Sequence, residues 1–166
     1  IDPNNEEPIN KSSSEVKGDT QKDINLILIE KIRSADSIIL SSHTGNRLDT
    51  VKREEIFPEL LFNNRINYKI IHEKQVLLSN NLDTLIKILA MPSNDADFLG
   101  AHCCDPHHTI FIVNKSQTSY LDLCFHCFCL TTSKDLELIK GYDEPKWSAL
   151  MSFFRKLAFK YEMPDK

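Results

Sequence analysis

Glycine is scarce in this chain, with four in 166 residues, and none falls in a phosphate-cradling pattern. Neither GxxxxGK[ST] nor GxGxxG occurs, which excludes the common nucleotide-binding enzymes. Positive charge is not in excess either: 20 Lys and Arg against 24 Asp and Glu give a net charge of −4. A general nucleic-acid binder needs a basic face to release counterions, and no Lys/Arg cluster supplies one, so nucleic acid is not an expected partner. Long apolar runs are missing. None approaches the roughly 18–20 residues of a membrane helix, and no signal peptide is legible. Membrane contact is therefore expected only through a lipid anchor outside this sequence.

What is present is an ordinary globular composition, 41% hydrophobic and 27% charged. The length fits one domain that can bury a core without metals or disulfides. Residues 1–20, "IDPNNEEPINKSSSEVKGDT", hold almost nothing for a core and read as a flexible polar leader or tether. Residues 21–166 read as a single domain.

Ile24, Ile27, Leu28 and Ile32 recur at helical spacing and predict a helix from about Asp23 to Ser34. "SIILSS" (37–42) suits a strand, and "RINYKIIHE" alternates like a half-buried one. "SNNLDTLIKILAMP" predicts a short helix with Asn80 or Asn81 as N-cap and Pro92 as terminator. "HTIFIV" and "SYLDLCFHCF", separated by "NKSQT", predict a hairpin. "DEPKWSALMSFFRKLAFKY" predicts a long C-terminal helix opening at Pro145. Its stripe is Trp147, Leu150, Phe154, Leu157 and Tyr161, with Phe153 and Phe159 off centre and partly exposed. The expected fold is α+β: a mainly antiparallel sheet with a central Cys-containing hairpin, and helices packed on it.

Chemistry concentrates between Gly100 and Cys129, which hold all five cysteines and four of six histidines. With Val113 opposite Thr118, His108 faces Leu123 and His107 faces Cys124; a one-residue shift puts His108 opposite Cys124. Opposed residues bring Cβ atoms to about 4.5–5.5 Å, and Cys103 and Cys104 reach the level of Cys127–Cys129. Strand parity opposes convergence of Cys124 and Cys127, which face opposite sides unless the chain bulges near Phe125–His126.

Four readings stay open. A zinc site would use Cys103, His108, Cys124 and Cys127, whose C-x4-H-x15-C-x2-C spacing resembles structural Cys3His sites. A disulfide would join Cys103 or Cys104 to Cys127 or Cys129, in an oxidising compartment. Reduced cysteines would instead serve as small buried hydrophobes. Catalysis would need a CxxC redox pair or a dyad of Cys124 with His107 or His108 near Asp122. No orienting group or oxyanion loop is visible for it, and no catalytic residue is nominated. His43, in "SSHTGN", reads as a polar loop histidine without a ligand.

At "CCDPHHTIFIVNK…YLDLCFHC" the chain resembles a family of small uncharacterised bacterial proteins of Bacteroidota type. Their pattern is Cys-aromatic-x-Pro-x-[His/Asn]-x-Ile, a hairpin, Ile-Cys-Phe-x-Cys and a helix containing Phe-Phe. It maps onto Cys103, Pro106, His108, Ile110, Cys124, Phe125, Cys127 and Phe153–Phe154, over about residues 60–160. Departures are Cys104 for an aromatic, Leu123 for Ile, and the additional Cys129. Many such proteins look like lipoproteins, so the resemblance implies a compact α+β module of the cell envelope and no known activity.

The resulting expectation is a non-enzymatic protein of the bacterial periplasm or outer membrane, lipid-anchored, that binds another protein and carries a structural disulfide but no cofactor. An immunity lipoprotein that neutralises a toxin is one concrete version. The alternatives are a small cytoplasmic zinc-binding interaction module and a CxxC thiol oxidoreductase.

Overall fold

The computed structural model describes residues 15–45, 59–93, 104–115 and 117–165. Helix α1 (Glu15–Arg33) starts earlier than its apolar spacing predicts and ends with Lys31 and Arg33, cations suited to a helix C-terminus. Its Leu28 and Ile32 are buried, whereas Ile27 is exposed. Strand β1 (Ser37–His43) follows and extends one residue past the apolar run.

The segment read as one strand from Arg65 is three pieces. Asn63 and Asn64, both at positive φ, join β2 (Leu61–Phe62) to β3 (Arg65–Ile66) in a two-residue hairpin. Asn67 then caps a single 3-10 turn at Tyr68–Ile70, and β4 (Ile71–Val76) begins only after it. Helix α2 (Ser79–Leu89) starts ahead of both asparagines expected to cap it; Leu78 is the N-cap and supplies no side-chain bond. Leu85 and Leu89 point into the core as their spacing requires.

β5 (His108–Asn114) and β6 (Gln117–Cys124) form the expected hairpin in the expected register, with Val113 opposite Thr118 and His108 opposite Leu123. β6 does not continue through "CFHCF". It stops at Cys124, turns over residues 125–128 with Phe128 at φ 50°, and returns as β7 (Cys129–Thr132). Helix α3 (Glu144–Lys156) is capped by Asp143, whose carboxylate accepts from the Lys146 amide at 3.3 Å. Past its end the chain bends at Ala158, so Phe159 folds back on Phe154 with ring centroids 5.0 Å apart. Phe153 and Phe159 are thus buried, where the sequence predicts partial exposure.

The five-stranded sheet has order β4-β1-β5-β6-β7 with every pairing antiparallel, and β2–β3 form a separate small sheet. The fold is α+β as the sequence predicts. Alternation sends Ile38, Leu40, Ile110, Ile112, Leu121 and Leu123 to one face, where they join Leu28, Leu85, Leu89, Trp147, Leu150 and Phe154 in a single core. The opposite face carries Ser41, His43, Thr109, Asp122 and Cys124, all buried. No helix among the described residues is long and apolar enough to cross a membrane.

Candidate functional site

Antiparallel pairing brings the end of β1, the start of β5 and the end of β6 to one end of the sheet, because Ser42, His108 and Leu123 lie side by side. Most of the chemistry-bearing residues of the chain meet there. The sulfur cluster forms where β6 turns into β7. Cys124 and Cys129 are ladder partners, and Cys127 sits in the turn between them. The Sγ of Cys127 lies 2.6 Å from that of Cys124 and 3.3 Å from that of Cys129. Cys104, just before β5, stands at disulfide-bonding distance from Cys129, with Cα atoms 5.8 Å apart.

The turn is why parity does not separate these residues. Alternation of faces holds only while a strand stays extended, and here the strand stops at Cys124. Among the described residues, Cys124, Cys127 and Cys129 are the one group of three or more metal-ligating side chains close enough to share an ion. Of the residues named for zinc, Cys124 and Cys127 come together. His108 is not in that group, and Cys103 lies outside the described residues. Of those named for a disulfide, Cys104 and Cys129 pair, while Cys127 lies against Cys129.

His108 points to the helix face, fully buried between Phe125 and Phe154 at centroid distances of 4.8 and 5.6 Å. Neither of its ring nitrogens makes a hydrogen bond of good geometry. Burial pushes its pKa down to about 4; the nearby Tyr161 backbone opposes this, and His107 and His43 add to it. His107 turns the other way. Its Nδ1 donates to the His43 carbonyl at 3.1 Å, and its Nε2 stands 3.4 Å from the Asp105 carboxylate. Neither imidazole is thus positioned by the register to act as base for Cys124, although His107 heads the opposing strand.

Sequence reasoning missed His43. It closes β1 rather than lying in a loop, and its Nε2 donates to Asp122 Oδ1 at 2.8 Å with both side chains buried. The Gly45 amide donates to its Nδ1 at 3.1 Å, which assigns the proton to Nε2. Thr109 donates to the same Asp122 oxygen at 2.9 Å. Gly45 sits at φ 81°, and a Cβ there would collide with the His107 ring. Glycine is required at this position on both counts. The usable signal was the Ser–His–Thr–Gly run after an apolar strand, but its partner Asp122 is 79 residues away.

No family model matches this chain, and neither a curated protein nor a solved structure matches it.

Proposed function

We propose that this is a non-enzymatic, protein-binding module of the bacterial cell envelope, stapled by a Cys104–Cys129 disulfide. The observation that carries the reading is that sulfur pair. A bond closing a 25-residue separation contributes about 3.5 kcal/mol and persists in an oxidising compartment. The His43–Asp122 pair, the obvious acid–base candidate, is fully buried, so it serves structure better than substrate. Protein binding is favoured by the outer edge of β4. Among the described residues no strand pairs there, and Tyr68, Val76 and Leu78 beside it are more than half exposed. A lipid-anchored immunity protein against a toxin is the version that best joins these features.

The test has two arms. Intact mass after alkylation without reductant is expected to show Cys104 and Cys129 protected in protein isolated from the envelope fraction. A stoichiometric complex with an envelope protein or toxin is expected to survive size-exclusion chromatography and to weaken in Val76→Lys. Full alkylation of both cysteines, or a protein found only in the cytosol, counts against the reading.

A further inference from the structure

We propose that Cys104, Cys124, Cys127 and Cys129 form a four-thiolate site for a tetrahedral divalent cation of the zinc type, with disulfide and metal as mutually exclusive occupants. The proposal shares the Cys104–Cys129 pair with the reading above but concerns the reduced protein. Three of the sulfurs lie within 4.8 Å of one another, and the fourth touches one of the three. Tetrahedral zinc with Zn–S bonds of about 2.3 Å separates its sulfurs by about 3.8 Å. The spacings of 2.6 and 3.3 Å are shorter than that, so side-chain rotation outward around a central ion is the required change.

The backbone is already placed for it. The β6–β7 ladder fixes Cys124 and Cys129 as direct partners, and the tight turn holds Cys127 over them. Cys104, four residues before β5, joins the cluster through Cys129, with Cα atoms 5.8 Å apart. Cys124 and Cys129 are 3% and 4% exposed, so their thiolates would be held away from water. A buried anion needs a compensating charge, and a divalent cation supplies it to these two while the half-buried Cys127 and the exposed Cys104 complete the set. An all-sulfur donor set selects zinc and similarly soft ions over magnesium or calcium.

Exchange between the two states balances with a dithiol as reductant. The Cys104–Cys129 S–S bond takes two electrons and two protons, giving two thiols, while the dithiol is oxidised to its disulfide. Zinc then displaces four protons from the four thiols.

The experiment uses the full chain, reduced with a phosphine and handled without oxygen, and titrates it with cobalt(II) and then zinc. The expected result is one equivalent of cobalt with the visible bands of a tetrahedral four-sulfur site, displaced by one equivalent of zinc. Oxidised protein should take up none until it is reduced. Cys104→Ser and Cys129→Ser should each lose more zinc affinity than the roughly 10–100-fold that outer-shell partners are worth, and His108→Gln should lose none. Where a serine variant fails to fold, the cobalt spectrum of the unmodified chain decides between four sulfurs and a sulfur–nitrogen set. Absence of stoichiometric metal in reduced protein overturns the proposal. So does an unchanged cobalt spectrum in Cys104→Ser and Cys129→Ser, which would transfer the site to other donors. The disulfide in oxidised protein is read separately by mass, so either idea can fail alone.

Discussion

Asp122 accepts from both His43 and Thr109 through one oxygen, while its other oxygen is buried without a hydrogen bond. Removing the carboxylate therefore strands a buried imidazole N–H and a buried hydroxyl together. Breaking a buried charge pair by deleting one partner costs about 3–5 kcal/mol. Asp122→Ala is expected at the low end of that range, because the Gly45 amide still engages the imidazole through Nδ1. Asp122→Asn keeps an acceptor for both donors and should cost about 1 kcal/mol. Urea denaturation of the two variants checks the ordering, and equal losses would mean that the hydrogen bonds carry little. Little of this network was legible beforehand. His43 and Asp122 are each unremarkable within their own strands, and they meet only because β1 joins the sheet beside β5, a pairing written in neither local pattern.

Helix α3 shows how far one element's local signals reach. The acidic residue before Pro145 and the apolar spacing predict its start, and Asp143 does accept from the Lys146 amide. The Asp143 amide in turn donates to Ser93 at 2.8 Å, so the cap also ties the helix to the segment after α2. Asp143→Ala should cost about 1 kcal/mol, read as a lower thermal midpoint with the fold retained by circular dichroism. The turn between β6 and β7 is the opposite case. "CFHCF" carries no glycine, proline or asparagine, and Phe128 adopts a left-handed conformation that bulky residues rarely take. Its ring stacks on Trp147 at 5.9 Å, so the conformation is set by the core and not by turn chemistry. The hairpin register was readable because β5, its turn and β6 are contiguous in sequence. The approach of Cys127 to Cys124 was hidden because a tertiary contact bends the strand where the sequence looks most strand-like.

At the scale of the whole molecule, the buried imidazole of His108 couples stability to pH. Its folded pKa of about 4 lies below the ordinary value of 6.5, because burial opposes the charged form. Between those values the unfolded chain binds a proton that the folded chain does not, so stability falls as pH drops from about 6.5 to about 4. The difference is worth roughly 3 kcal/mol once fully developed, and it stops growing below the folded pKa. Asp135 acts in a separate, lower window. Burial pushes its carboxyl up, but hydrogen bonds from Lys31, Ser119 and Ser133 outweigh this and hold it at about 2. Its contribution is lost only as pH falls below about 4 toward 2. The two can therefore be separated by pH. His108→Leu should flatten the unfolding free energy measured by urea between pH 6.5 and 4.5, while leaving the loss below pH 4. Because His108 packs between Phe125 and Phe154 on the core side of the hairpin, the leucine keeps an apolar side chain in that space. An unchanged slope in the variant would show that the acid sensitivity resides in other groups.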